Sequence, residues 1–172
     1  AGGVTLSFYA LPETPDINVI QVDNPFQQPA FDYPDEVLVG ESSVDHQAKT
    51  TPKFVRAKHV KSNDSHITFI SGTAAIRNEK TVAVNNMQKQ LLVTLENIEH
   101  LISRSNMENS GIRNAREEKV TYYRGYVKNI KSITDIIRKC EEWLPGVPYL
   151  MLVSDICRQD LLLEIEAFSS YP

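Results

Sequence analysis

The segment "LLLEIEAF" near the C-terminus alternates apolar and acidic side chains. Successive side chains of a β-strand point to opposite faces of the sheet, so Glu164 and Glu166 share one face. Leu163, Ile165 and Ala167 share the opposite face. The pattern therefore predicts a strand with one packed apolar side. Its acidic side is open to water, to a subunit interface or to a ligand.

The sequence from residue 52 onward alternates between the strand and helix patterns. Strands are predicted where apolar and β-branched residues cluster, and helices where apolar residues recur every three or four positions. Asn85 and Asn86 are candidate N-caps of the first helix, residues 84–104. The second helix has Ile133, Ile136, Ile137, Cys140 and Leu144 on one face. The predicted strands are residues 53–60, 66–76, 119–129, 149–156 and 161–168.

The resulting order, β-β-α-β-α-β-β, predicts an α+β sandwich with helices packed on one face of a mixed sheet. The second face of such a sheet needs its own cover. We therefore expect oligomerisation or a partner domain on that side.

The first 51 residues differ from the rest. Residues 4–10 are predicted as a strand, and an arm of residues 11–51 follows. This arm carries five prolines, which fit no regular element of that length: Pro12, Pro15, Pro25, Pro29 and Pro34. We predict two units, a strand and proline-rich arm (1–51) and an α+β domain (52–172). A structureless arm this long indicates packing along another domain or subunit.

Composition limits the possible functions. The net charge of −4 over 172 residues argues against nonspecific binding of nucleic acid, which needs many unopposed lysines and arginines. The apolar runs are too short to span a membrane. Neither Cys140 nor Cys157 has metal-ligand spacing with another Cys or His, so we expect two reduced, mostly buried thiols. The expectation is a cytoplasmic protein that binds neither metal nor cofactor and does not contact a membrane.

Several segments together resemble the YjgF/RidA superfamily, over residues 54–168. They are "FISGTAAI", "QLLVTLENI", "YVKN" and "LLLEIEAF", in that order. The resemblance implies a chorismate-mutase-like α+β fold that forms trimers or pseudo-trimers, with clefts between subunits. We therefore expect a homotrimer that binds a small anionic substrate.

The chain is similar to two branches of this superfamily, the deaminases and the chorismatases. Enamine/imine deaminases of the RidA type carry an arginine where this chain has Leu150. The C-terminal half of the chorismatases (chorismate hydrolases) is more similar, through "VDNPFQQPAFDYP", "PKFVRA", "SGTAAI", "LPGVPY" and "ICRQDLLLEIEA". This second resemblance also covers the proline-rich arm. Chorismatases are about twice as long as this chain, so a non-catalytic ligand-binding member of the same fold is a third possibility.

The resemblance to chorismatases implies cleavage of an enolpyruvyl ether, to pyruvate and a dihydroxycyclohexadiene or hydroxybenzoate. Glu164 aligns with the glutamate that this family uses as catalytic acid. A carboxyl group can serve as the acid when burial raises its pKa towards neutrality. Glu166 either raises the pKa of Glu164 by like-charge repulsion or is solvated at the end of the strand.

The remaining candidates are substrate-binding residues. Arginine binds a carboxylate with its planar fork, so Arg158 is predicted as a carboxylate contact. Arg124 pairs either with a protein carboxylate, Glu164 being one candidate, or with the ligand. By the resemblance, Cys157 selects the product, while Gly72 and Ala74 leave room for a ring on the cleft floor, together with Thr73.

Overall fold

The computed structural model describes residues 9–34, 37, 51–63 and 65–171. Most of the predicted strand 4–10 lies outside these residues, and its last two residues are not in a strand. Among the described residues, no helix is both long and apolar enough to cross a membrane.

The main sheet has six strands in the order β1-β2-β3-β8-β6-β7. All neighbours are antiparallel except β6 and β7, which are parallel. The mixed sheet expected from the sequence is therefore confirmed. Its strands are β1 (Ile17–Val22), β2 (Ala57–Ser62), β3 (Ser65–Thr73), β6 (Lys119–Val127), β7 (Tyr149–Val153) and β8 (Leu163–Ser170), while β4 (Ile76–Arg77) and β5 (Lys80–Thr81) form a separate hairpin.

Three α-helices accompany the sheet: α1 (Met87–Ile102), α2 (Arg104–Asn109) and α3 (Ile133–Trp143). Asn86 caps α1, because its side chain accepts a hydrogen bond from Lys89 N at 3.0 Å. Helix α2 was not predicted, since its sequence "RSNMEN" is polar apart from Met107. That methionine is fully buried, so one apolar contact attaches the short helix to the core.

The core lies between the helices and one face of the sheet. Leu163 and Ile165 of β8 are each only 1% exposed, and they belong to the same buried cluster as Ile98 and Leu101 of α1. The alternate residues of β8 are only half-buried on the other face. The alternation predicted for this strand is therefore confirmed.

Strand β1 corrects the prediction of an irregular arm. It lies within residues 11–51 and pairs with β2 at the edge of the main sheet. The nine residues between Pro15 and Pro25 contain no proline, which leaves room for the six-residue strand. Val22 is fully buried in the core, so this part of the arm is ordered by its own sheet. The division at residue 51 stays a prediction.

Two of the predicted strands end earlier in the structure than the sequence predicts. The predicted strand 66–76 is interrupted after Thr73, where the chain bends through buried Ala74 and Ala75 into β4. The predicted strand 149–156 ends at Val153, and β8 begins two residues later than expected. Residues 154–162 therefore form a loop between β7 and β8.

The face of the sheet opposite the helices is rich in aromatic residues. The rings of Tyr9 and Phe69 are 5.2 Å apart, those of Phe69 and Phe168 are 5.3 Å apart, and Tyr122 lies 5.6 Å from Phe168. We call this surface the open face. Its aromatic and aliphatic side chains line a depression of about 810 Å³.

Candidate active site

A cleft of about 740 Å³ lies where the arm, the end of β3, β8 and the β7–β8 loop meet. The structure brings five of the six predicted site residues into its lining: Gly72, Ala74, Cys157, Arg158 and Glu164. Arg124 is not part of the lining. Glu166, Tyr126, Arg56 and Tyr33 also line the cleft.

Gly72 is required by the close approach of Glu164. The β3–β8 pairing has an irregularity between Ile70 and Thr73, and Gly72 lies within it. A Cβ atom at position 72 would lie 2.7 Å from Cδ of Glu164 and would collide with its carboxylate. The side chain of Glu164 can therefore cross this part of β3 only because position 72 has none.

Glu164 is a carboxyl group with little stabilisation of its charge. Burial raises its pKa above the usual glutamate value, and the neighbouring charge of Glu166 raises it further. Among the hydrogen bonds of the described residues, none reaches its carboxylate oxygens. The predicted effect of Glu166 on the pKa of Glu164 is thus confirmed in direction, although burial is the larger cause. A carboxyl group in this state is suited to donating a proton.

Glu166 is the partner of Arg124, so the suggestion that Arg124 pairs with Glu164 is wrong. The antiparallel register of β6 and β8 places Arg124 opposite Glu166, while Tyr126 stands opposite Glu164. Arg124 Nη1 lies 3.3 Å from Glu166 Oε2, and the Tyr126 hydroxyl donates to the same oxygen at 3.0 Å. Glu166 therefore lies in the cleft, where Arg124 and Tyr126 donate to it, rather than at the solvated end of the strand.

Arg158 is anchored at one end of its guanidinium group and free at the other. Nη1 donates to the Glu79 carbonyl at 2.8 Å and lies 3.4 Å from Thr81 Oγ1, both in the β4–β5 hairpin. Nη2 is buried and has no hydrogen-bond partner among the described residues. A buried unpaired donor is costly, which favours a ligand acceptor at this position.

Arg56 was missed by the sequence analysis, although it stands in the quoted segment "PKFVRA". It is only 3% exposed, and its Nη2 donates to the Gln28 carbonyl at 2.7 Å and to the Tyr33 hydroxyl at 2.6 Å. Its Nε is buried, and no partner for it is found in the part of the chain that the structure describes. The Tyr33 ring contacts both guanidinium groups, with Cζ of Arg56 5.8 Å and Cζ of Arg158 5.2 Å from the ring centroid. The sequence signal for Arg56 was its place between two apolar residues of a predicted strand, because an arginine that is buried is almost always paired.

The two cysteines differ in exposure, which corrects the expectation of two mostly buried thiols. Cys140 is fully buried in the core, whereas Cys157 is exposed at the cleft. Partial shielding from water, followed by the charge of Glu164, raises the pKa of the Cys157 thiol. The thiol is thus a weak nucleophile. Its predicted role in product selection stays a prediction.

Metal ligation has no support among the residues described. No group of three or more His, Cys, Asp or Glu side chains in this part of the chain is arranged to hold a metal ion. The cleft is lined by three carboxyl groups, of Asp155, Glu164 and Glu166, and by two arginines, Arg56 and Arg158.

Comparisons with known proteins agree with this fold. No family model matches the chain. A 3-hydroxybenzoate synthase of Streptomyces hygroscopicus is 30% identical over 155 residues, which cover 86% of this chain and 42% of that relative. A chorismatase of Streptomyces rapamycinicus is 30% identical over 170 residues, covering 96% of this chain and 47% of the relative. The chain thus spans about half the length of the curated relatives it matches.

Solved structures define the class of protein. The Rid family protein YyfA of Yersinia pestis matches with a TM-score of 0.51 and 17% identity, over 71% of this chain and 90% of its own. This likeness shows the fold, which is that of the YjgF/RidA superfamily. A chorismatase crystal structure matches with a TM-score of 0.76 and 26% identity, over 89% of this chain and 44% of that one. The chain is a YjgF/RidA-fold protein related to the chorismatases.

Proposed function

We propose that this cleft cleaves the enolpyruvyl ether of chorismate, or of a related cyclic carboxylate, and releases pyruvate. One observation carries the proposal: a carboxyl group with a raised pKa, Glu164, shares a cleft with two buried arginine donors for which the described residues offer no partner. An acid and two cationic groups are what a dianionic enol ether requires.

The arginines supply the binding part of the proposal. Both guanidinium groups lie near the Tyr33 ring, and Nε of Arg56 and Nη2 of Arg158 have no hydrogen-bond partner among the described residues. A substrate carboxylate there would pair with donors that are otherwise unsatisfied, and charge-assisted hydrogen bonds of this kind are short and strong. The small residue Ala74 leaves space for a ring beside the acid.

Glu164 supplies the chemical step. Its protonated form donates to the methylene carbon of the enol ether, and the ether oxygen stabilises the resulting cation. When water adds to that cation, the intermediate collapses to pyruvate and a dihydroxycyclohexadiene. When the ring instead loses its own proton and the ether bond breaks, the second product is a hydroxybenzoate, with no net uptake of water. The proposal leaves both products open, with Cys157 as the predicted selecting residue.

The proposal is tested by incubating the purified chain with chorismate and coupling pyruvate release to lactate dehydrogenase. General acid catalysis contributes typically about 10²–10⁴-fold, so Glu164→Gln should lower kcat on that scale and leave substrate affinity nearly unchanged. Arg158→Ala should instead weaken binding, by about 1.5–3 kcal/mol, the value of a hydrogen bond to a charged group.

Three results would contradict the proposal. Full turnover in Glu164→Gln, or loss of folding by this variant in circular dichroism, would make the carboxylate structural. Chorismate binding without pyruvate release would favour a non-catalytic member of the fold. Release of ammonia from an enamine substrate, with no action on chorismate, would favour the deaminase branch.

The proposal includes a homotrimer in the cytoplasm, with neighbouring subunits closing the clefts. The exposed apolar residues of the open face support this assembly, since a contiguous patch of this kind indicates an interaction site.

A further inference from the structure

The β7–β8 loop carries Cys157 and Arg158 into the cleft without any regular secondary structure of its own. A loop that places a substrate anchor must be held in position, because a misplaced binding group loses much of its effect. Its two ends are fixed to the end of β6. Ser154 N donates to the Val127 carbonyl at 3.2 Å, and Lys128 N donates to the Leu162 carbonyl at 3.1 Å.

The far part of the loop is held by the side chains of Gln90 and Thr81, which bond Asp160 at 2.8 and 3.1 Å. The backbone around Arg158 is held by a lysine. Lys128 Nζ donates to the carbonyls of Arg158 and Gln159 at 2.8 and 3.1 Å and lies 3.4 Å from Asp155 Oδ1. We propose that Lys128 is a positioning residue that holds the β7–β8 loop, and with it Arg158, in the geometry the cleft requires.

The match between donors and acceptors supports this role. An ammonium group has three donors and no acceptor, and Lys128 meets three acceptors, all from one loop. The side chain is only 20% exposed, so its charge is largely withdrawn from water. On a fully solvated surface the same contacts would contribute little to stability, because exposed ion pairs are weak.

The contact at the Arg158 carbonyl links Lys128 to the anion site. The backbone of Arg158 is held by Lys128, and its guanidinium group is held by Glu79 and Thr81. Both ends of Arg158 are therefore fixed, and Nη2 is the donor of this side chain that has no partner among the described residues. Removing the Lys128 contact should displace Arg158 without touching the substrate.

The order of the loop can be measured through its thiol, whether or not the proposed function is correct. Cys157 is exposed and Cys140 is fully buried, so a disulfide reagent such as dithionitrobenzoate reports on Cys157. Glu164 and partial shielding hold the pKa of this thiol above its usual value. Once the loop leaves that position, more thiolate forms and the thiol is more accessible. Lys128→Met should therefore react several-fold faster than the wild type.

Matched variants complete this experiment. Lys139→Met removes a lysine that bonds Glu142 on the surface of α3, and its rate should equal that of the wild type. Lys128→Arg keeps the charge and the donors, so it should restore a slow rate. Should Lys128→Met fail to fold, Lys128→Gln retains one amide donor and should give an intermediate rate. A folded Lys128→Met or Lys128→Gln that reacts at the wild-type rate would overturn the proposal.

A second experiment rests on the proposed function and tests the link to Arg158. With chorismate as substrate, Lys128→Met should raise KM by roughly tenfold or more, given that a 1 Å misplacement can cost about 100-fold, and should change kcat less. In an Arg158→Ala background the same change should have little further effect, because both act on one contact. Additive effects on KM would overturn the link. Absence of turnover in every variant, together with faster thiol labelling, would contradict the proposed function and leave the role of Lys128 in the loop supported.

Discussion

At the scale of single residues, the cleft gives different surroundings to Glu164 and Glu166, which are only two positions apart in sequence. Glu166 is bonded by Arg124 and Tyr126, whereas Glu164 lies over Gly72 without a hydrogen-bond donor among the described residues. A pair of titratable groups in such different surroundings is a common basis for distinct acid and base roles. The arrangement therefore favours Glu164, rather than Glu166, as the group that carries a proton.

Glu166→Gln should move the pH dependence of turnover. The charge of Glu166 helps to raise the pKa of Glu164, so removing it lowers that pKa. An acid acts in its protonated form, and the alkaline limb of the kcat profile should therefore shift to lower pH. The measurement is pyruvate release from chorismate between pH 5 and 9. Glu142→Gln removes an exposed carboxylate on α3 and should leave the limb in place. An unshifted limb in Glu166→Gln would contradict the coupling.

Gly72→Ala should lower turnover by displacing the carboxyl group of Glu164. The added Cβ would lie 2.7 Å from Cδ of Glu164, at the far end of a flexible side chain that can shift at little cost in stability. A displaced acid loses its place beside the substrate, so kcat for pyruvate release should fall, at most by the contribution of general acid catalysis, about 10²–10⁴-fold. In urea denaturation the free energy of unfolding should change by less than about 1 kcal/mol. An unchanged kcat would mean that Gly72 has another role.

At the scale of secondary-structure elements, the sequence predicted the features that depend on the local spacing of apolar residues. The alternation in β8 and the helical spacing in α1 gave the correct faces, because burial depends directly on those periods. Strand β1 was missed because the prolines around it dominated the prediction, although none lies within it. Its pairing with β2 is a contact across about 40 residues of sequence, which no local pattern reports.

The candidate site was predictable in part for the same reason. Glu164, Cys157 and Arg158 stand close together in sequence, and the resemblance to chorismatases named them. Arg56 and Tyr33 come into contact only because of the way the arm folds, and a local sequence pattern does not predict such a tertiary contact. The partner of Arg124 depends on the register of β6 and β8, which fixes Glu166 opposite it.

The contribution of β1 can be tested at its buried end. Val22 is fully buried in the core, and burying a valine side chain contributes roughly 1.5–3 kcal/mol. Val22→Ala should lower the free energy of unfolding by about 2 kcal/mol, measured by urea denaturation. Val84→Ala is the matched control, because Val84 is 49% exposed before α1 and its loss should cost less than about 0.5 kcal/mol. Equal, small effects would show that β1 adds little to the core.

At the scale of the whole molecule, the α-helices of the described residues cover one face of the sheet and leave the other without an α-helix. The open face displays exposed apolar side chains around its depression, among them Val19 and Phe31. Contact with water at such a patch is unfavourable, and association removes it. The cleft lies beside this surface, since Phe54 and Ser71 line both depressions. Assembly through the open face would therefore bring a second subunit to the edge of the site.

Light scattering at micromolar concentration should accordingly give three times the chain mass of 19.4 kDa. Val19→Lys places a charge on the open face, where its burial in an interface would be costly, and should shift the mass towards that of the monomer. Leu92→Lys is the matched control, because Leu92 is 58% exposed on α1, on the helical side of the molecule, and its variant should stay trimeric. A monomeric wild type would contradict the proposed assembly. A Val19→Lys variant that keeps the trimeric mass would show that the subunits associate through another surface, and that the cleft is complete without a neighbour on the open face.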